Sequence, residues 1–224
     1  MTGVGIDGSL SLKSMKKLTA ALLAGLFATL AACSGPALPF TSSEPKDVAI
    51  QEGDLKGLQK CKESGSISDF LKSAQGENPD TYKAEQQAWK KLQDGGATDG
   101  WVQVLSNTPK ECTSLFGVGT APQQNPKVAS SFVFKYRDES SAVKAFNRGD
   151  FGVSPASVKG QNGVSEGAAT GLGNNSVVFS QSFGNQSSYL ALWQNKQFGV
   201  LLFTVNVATQ DAKKAAGNMN SRVH

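Results

Sequence analysis

Residues 176–207 read SVVFSQSFGNQSSYLALWQNKQFGVLLFTVNV, and this stretch decides the fold. Apolar residues recur in short runs that are separated by polar two-residue breaks at Gly184–Asn185 and Asn195–Lys196. Alternating runs joined by two-residue polar links are typical of β-hairpins. The stretch therefore predicts an antiparallel meander, with its longest and most apolar strand in a central position. The predicted strands are Ser176–Phe183, Ser188–Gln194 and Phe198–Val207.

The segments on either side of the meander add helices and a further strand. Thr209 is predicted to cap a final helix, because apolar residues follow it at helical spacing. Upstream, Val128–Tyr136 alternates in the manner of a strand, and Asp138 then caps a short helix. A short strand is also predicted near Val164. The apolar residues of the final helix are Ala212, Ala215, Ala216, Met219 and Val223.

The region before Pro109 is predicted to be helical. A first helix spans Ile67–Gln75, a second begins at the cap Asn78 and ends at Gly95, and a third runs from Asp99 to about Leu105. The fold class that follows is α+β: an N-terminal helical segment followed by an antiparallel sheet with helices packed on one face.

The stretch Met15–Cys33 has the pattern of a secretory signal. Two lysines precede the uncharged run Leu18–Ala32, which is too short for a comfortable membrane span, and the run ends in Leu-Ala-Ala-Cys. This ending resembles the lipobox of bacterial lipoproteins. The resemblance implies cleavage before Cys33, a diacylglyceryl thioether on its sulfur and acylation of the new amine, usually with palmitate. The alternative is an ordinary secretory signal cleaved after Ala31–Ala32.

The chain is therefore divided into three parts. Residues 1–33 are a lipoprotein signal peptide, in which translation is expected to start at Met15. Residues 34–47 contain proline, serine and threonine and are expected to form a flexible tether. Residues 48–224 form a single extracytoplasmic α+β domain in the cell envelope. Lipid on Cys33 would hold that domain at the outer face of the plasma membrane, or at an outer membrane where one exists.

Charge and cysteine content narrow the classes of partner. The whole chain carries a formal charge of +4, and removing residues 1–33 takes away three lysines and one aspartate, which leaves +2. Such a balance, without a basic cluster, argues against nucleic acid as a partner. With Cys33 lipidated, Cys61 and Cys112 remain as an even pair in an oxidising compartment, which predicts a disulfide. A zinc site is not expected in that state, since the single histidine is His224.

No catalytic or cofactor-binding residues are predicted. A histidine-based triad or dyad has only the terminal His224 to use. Gly171–Asn175 lacks the third glycine of a dinucleotide loop and precedes a strand, so it is interpreted as a turn. Two carboxylate pairs, Asp69 with Asp80 and Asp138 with Glu139, are better explained as helix-start residues.

Tyr189 and Trp193 lie four residues apart on one face of a predicted strand. Each of the three tryptophans also fits an apolar face, so core packing is the favoured interpretation for any one of them. Among the aromatic residues, this pair is nevertheless the best candidate for an exposed binding platform, with residues 160–175 as a rim.

A second resemblance concerns residues 109–146. Pro109 and Cys112, a phenylalanine-rich strand, and then Asp138, Ala142 and Phe146 look like extracytoplasmic sensor-type domains of actinobacterial kinases and related lipoproteins. Those domains are disulfide-bonded α+β modules that are thought to bind ligands or envelope components. The resemblance therefore implies a binding module.

Three functions follow from these observations. The first is a membrane-anchored lipoprotein that binds an envelope ligand or protein without catalysis. The second is an envelope hydrolase, which requires two carboxylates or a serine–lysine pair in one cleft. The third is an apolar-ligand carrier, which requires a cavity of several hundred Å³ between sheet and helices.

Overall fold

The computed structural model describes residues 43–108, 112, 126–183 and 186–224, all in one compact unit. Two single-turn 3₁₀ helices lie at Glu52–Asp54 and Gly167–Thr170. The helices are α1 (Pro45–Val48), α2 (Ile67–Glu77), α3 (Pro79–Asp94), α4 (Glu139–Arg148), α5 (Pro155–Val158) and α6 (Thr209–Ser221). The strands are β1 (Gln59–Lys60), β2 (Gly65–Ser66), β3 (Ala97–Ser106), β4 (Val128–Tyr136), β5 (Val164–Glu166), β6 (Ser176–Phe183), β7 (Gln186–Asn195) and β8 (Phe198–Val205).

All eight strands belong to one antiparallel sheet. Its order is β1-β3-β4-β8-β7-β6-β5, and β2 also pairs with β3. The predicted meander is confirmed as β6–β7–β8, and β8 is the middle strand of the order, as predicted. In the centre of the sheet, Val200 of β8 pairs with Val133 of β4 and with Trp193 of β7.

The helix predicted for Asp99–Leu105 is wrong, because these residues lie in β3 and pair with β4 along its length. Valine and tryptophan favour strands. Alternate residues of this segment point to opposite faces of the sheet, and both sets pack against apolar residues. The other two predicted helices are present as α2 and α3. The Ser66 hydroxyl accepts from the amide of Asp69 at the start of α2, and the Asn78 side chain accepts from the amides of Asp80 and Thr81 at the start of α3.

Helices cover both faces of the sheet, so the prediction that they pack on one face is wrong. Face A, which carries Val133, Val200 and Trp193, is covered by α6 and by residues 48–58. Face B, which carries Phe132, Leu201 and Leu192, is covered by α2 and α3 over β3 and by α4 over β4, β7 and β8. The physical reason lies in β8, whose consecutive residues Val200, Leu201 and Leu202 are all apolar and alternate between the faces.

The predicted tether ends earlier than residue 47. Ser43 is 5% exposed, and its hydroxyl donates to the carbonyl of Arg222 at 2.9 Å and accepts from the amide of His224 at 2.9 Å. Helix α1 follows, and Val48 is buried against face A. Residues 43–47 are therefore part of the folded domain, and the C-terminal His224 is held by them. Residues 34–42 and Cys33 lie outside the described residues.

The predicted disulfide between Cys61 and Cys112 is confirmed, with Cα atoms 5.6 Å apart. The bond packs against Phe70, Val104 and Val128 in an apolar cluster beneath α2. It thereby joins the segment before α2 to the segment after β3, across 51 residues of chain.

Candidate functional site: an apolar surface on face B

The predicted platform of Tyr189 and Trp193 is wrong. Tyr189 is 2% exposed and Trp193 is 0% exposed, because both lie on face A in the core beneath α6. Burial raises the pKa of the Tyr189 hydroxyl to about 12. These aromatic side chains hold the fold together and offer no surface to a ligand.

The opposite face of the same strands carries a row of half-exposed apolar side chains, here called the apolar row. Val164 pairs with Phe179, which pairs with Leu190, which pairs with Phe203. All four are only partly buried. Neighbouring strands are about 4.8 Å apart, so the apolar row runs about 14 Å across β5, β6, β7 and β8.

The helices of face B cover the sheet beside the apolar row. Phe70 of α2 meets Phe132 of β4 edge-on, with ring centroids 5.6 Å apart, and Phe132 pairs with Leu201 of β8. Helix α4 and the following residue Phe151 cover Gly199 of β8, where a Cβ atom would overlap the Phe151 ring. Both covers meet the sheet at β8 positions that precede Phe203, so the apolar row lies beyond them and is left partly open.

The apolar row offers almost no hydrogen-bonding groups. The backbone amides and carbonyls of β6, β7 and β8 are used between strands. The next residue in the row, Ser130 of β4, is 1% exposed. Two residues further along β6, and two residues earlier in β7, the same face carries polar side chains. There Gln181 is exposed and Ser188 is half-exposed. The result is a linear apolar strip with a polar rim.

A narrow groove lies between α2, α3 and the sheet. It is lined mainly by apolar residues, with one carboxylate, Glu85 of α3. Burial raises the pKa of that carboxyl group. The groove encloses about 30 Å³, which is room for about one water molecule and far below the several hundred Å³ that a carrier requires. The apolar lining residues include Ile67, Phe70, Leu71, Ala88, Trp89, Phe132 and Phe134.

The ionisable clusters in the described residues have structural roles. Asp150, whose side chain is 1% exposed, lies 3.1 Å from the ammonium of Lys91 and 2.6 Å from the guanidinium of Arg148, which fastens α3 to the end of α4. Asp138 accepts from the amide of Ser141 at 2.7 Å, as its predicted role at a helix start requires. That backbone hydrogen bond holds the pKa of Asp138 below its usual range.

The sequence reasoning missed the apolar row because it ranked aromatic residues by type. The sequence of β8 contained a usable signal, because apolar residues occupy both its odd and its even positions. One of these two sets must therefore face away from the core on face A. The pairing of β7 with β8 then places Leu190 beside Phe203.

Comparisons with known proteins do not assign the chain to a family. No protein-family model matches it, and no curated protein does. Among solved structures it is similar to the extracellular domain of PknH from Mycobacterium tuberculosis, with 12% identity and a TM-score of 0.34. The match covers 57% of this chain and 64% of that one. None of the helices in the described part of the chain combines the length and apolar character needed to cross a membrane.

Proposed function

We propose that this protein is an extracytoplasmic binding module, anchored by lipid on Cys33, and that its apolar row binds an acyl chain of an envelope lipid. The observation that carries the proposal is the half-exposed apolar row itself. Its four side chains are contributed by four strands of a sheet whose opposite face carries the buried core around Trp193.

The shape and chemistry of the apolar row favour an acyl chain over a peptide. A peptide laid on the strip would bury amides and carbonyls against Phe179, Leu190 and Phe203, where no donor or acceptor meets them. Each unsatisfied backbone group would cost about 1–3 kcal/mol. An acyl chain has no such groups, and a strip about 14 Å long accommodates a linear chain along its length.

The proposed anchor supports the same ligand. Ser43 is the tenth residue after Cys33, and an extended chain spans at most about 3.5 Å per residue. A lipidated Cys33 would therefore keep the folded domain within about 35 Å of the bilayer surface. A domain held at that distance meets membrane lipids at high effective concentration.

A titration with a fatty acid carrying a terminal dansyl group tests the ligand class. We expect saturable one-to-one binding to the purified protein. Phe203→Ser should weaken that binding at least tenfold, since burying a phenylalanine contributes about 1.5–3 kcal/mol.

Trp101→Ser is the matched control, because Trp101 is a half-exposed aromatic residue that packs on face A. It should leave the affinity within about twofold. Equal weakening by both variants, or no saturable binding by the wild type, would overturn the acyl-chain proposal.

The lipid anchor has its own test. Mass spectrometry of the membrane fraction should find an N-terminal peptide that begins at Cys33 and carries acyl groups. Cys33→Ala should release the protein from the membrane. A mature protein without lipid would contradict the proposed anchor and would not contradict the proposed binding module.

A further inference from the structure

Glu63 is a buried acidic residue whose side chain lacks a hydrogen bond within the described part of the chain. The residue is 4% exposed, and neither carboxylate oxygen has a hydrogen-bond partner among the described residues. The ammonium of Lys62 lies 3.9 Å from one oxygen, but the Lys62 side chain is 82% exposed and remains hydrated. A carboxylate withdrawn from water normally has compensating partners, so this one calls for an explanation.

The carboxylate is directed at the disulfide. One oxygen of Glu63 and the sulfur atoms of Cys61 and Cys112 all lie within 4.8 Å of one another, and all three residues are buried. The backbone turn from Cys61 to Ser64 holds this geometry, because the amide of Ser64 donates to the carbonyl of Cys61 at 3.1 Å. Two sulfurs and one oxygen therefore lie close together in an apolar surrounding.

We propose that reduction of the Cys61–Cys112 bond creates a zinc site in which both thiolates and the Glu63 carboxylate bind the ion. Thiolate sulfur and carboxylate oxygen are both common zinc ligands, at about 2.3 Å and about 2.0–2.2 Å. Three protein ligands leave a fourth, open position for water. The ion would also be a partner for the Glu63 carboxylate, whose oxygens have no hydrogen-bond partner among the described residues.

The steps balance with a dithiol as reductant. A dithiol transfers two electrons and two protons to the disulfide, becomes a cyclic disulfide, and leaves Cys61 and Cys112 as thiols. Zn²⁺ then displaces one proton from each thiol, and two protons are released to solvent. In the reverse direction, a cyclic disulfide would take two electrons from the two thiolates and two protons from solvent, become a dithiol, re-form the Cys61–Cys112 bond and release the ion. The site is therefore controlled by redox state.

The test compares oxidised and reduced protein with Co²⁺ as a spectroscopic substitute for Zn²⁺. A phosphine reductant is suitable, because it takes its oxygen from water as it opens the disulfide. The reduced wild type should bind one equivalent with thiolate charge-transfer and tetrahedral absorption bands, and Zn²⁺ should displace it. The oxidised protein should show neither band.

Glu63→Gln separates this site from simple binding by two thiols. We expect it to weaken metal binding by the reduced protein at least tenfold, whereas Glu77→Gln, at an exposed carboxylate, should have no effect. Identical affinity of the wild type and Glu63→Gln would overturn the proposal, as would a folded, reduced wild type that binds no metal.

Reduction removes a cross-link from the fold, and circular dichroism shows whether the reduced chain stays folded. If the reduced chain unfolds, adding Zn²⁺ should restore the native spectrum in the wild type and fail to do so in Glu63→Gln. A reduced chain that stays unfolded with excess Zn²⁺ would refute the site.

Discussion

The two faces of the sheet differ in how completely they are covered. Face A is closed by a single layer, helix α6 together with residues 48–58, and its largest side chains, Trp193 and Tyr189, are buried almost completely. Face B is covered by α2 and α3 over β3 and by α4 over β4, β7 and β8, and the apolar row lies beside these helices. The same strands thus contribute residues to a core on one side and to an open strip on the other.

This contrast shows that residue type alone does not identify a binding surface. The most conspicuous aromatic residues of β7 are core residues, whereas Leu190, between them in sequence, faces the open strip. Alternation along a strand separates the two sets, and the cover from helices decides which set is available. The following predictions test this difference between the faces.

The largest effect is expected at the centre of face A. Trp193→Ala removes a fully buried indole and should lower the free energy of unfolding by about 4–5 kcal/mol. Phe203→Ala, on face B, should cost only about 1–2 kcal/mol, because its side chain is only partly buried. Urea unfolding followed by circular dichroism measures both. Equal losses would show that the faces are equally buried.

The next effect concerns the ion pair that closes face A at its edge. The Arg222 guanidinium lies 2.8 Å from the Asp54 carboxylate, and Asn218 donates to the same carboxylate at 3.0 Å. Burial alone would raise the pKa of Asp54, but the hydrogen bonds from Arg222, the amide of Gln51 and Asn218, with the charge of Arg222, lower it. Arg222→Met should cost about 2 kcal/mol at neutral pH.

The pH dependence of this pair follows from the lowered pKa of Asp54. Its stabilisation is fully present above the unfolded-state value, near 3.8, and is lost as the pH falls through the lower folded-state pKa. The cost of Arg222→Met should therefore shrink in acid. A cost that is the same at pH 7 and at pH 2.5 would mean that the pair does not stabilise the fold through charge.

An intermediate effect is expected where face B is closed. Gly199→Ala places a methyl group against the Phe151 ring, which must move, and should cost about 1–3 kcal/mol. Gly217→Ala is the control, because Gly217 lies in α6 with open space around it. That change should be neutral or stabilising, by up to about 1 kcal/mol. If Gly199→Ala is also neutral, Phe151 does not seal this part of the face.

The smallest effect concerns the groove between α2, α3 and the sheet. Because the pKa of Glu85 is raised by burial, its neutral form favours the folded state. That contribution is present below the unfolded-state value, near 4.5, and is lost as the pH rises through the higher folded-state pKa. Glu85→Gln should therefore raise thermal stability at pH 7, by up to about 1 kcal/mol, and not at pH 3. Destabilisation at pH 7 would show that the carboxylate has a favourable partner.

Much of the fold could be predicted from local patterns. The caps Ser66 and Asn78 located α2 and α3, the two-residue breaks located the meander, and the cysteine pair predicted the disulfide. The strand β3 was missed because the seven-residue segment Asp99–Leu105 is long enough for two turns of helix and equally suits a strand. Only pairing with β4, more than 20 residues later, decides between them.

The candidate site could not be predicted in the same way, because exposure depends on contacts between distant segments. Sequence alternation shows that Tyr189 and Trp193 share a face, but α6 determines that this face is buried. The contact of Ser43 with Arg222, 179 residues away, likewise cannot be predicted from the local sequence pattern. Because of this contact, the folded domain begins at residue 43 and not at residue 48.

Photo-cross-linking in intact cells tests the central claim, that the apolar row on face B is the surface that meets an acyl chain. A photoreactive phenylalanine analogue would replace Phe203 in one strain and Trp101 in another, and the adducts would be weighed by mass spectrometry. We predict an adduct with the mass of an acylated envelope lipid from position 203 and none above background from position 101. Lipid adducts from position 101 alone, or equal yields from both positions, would contradict the account.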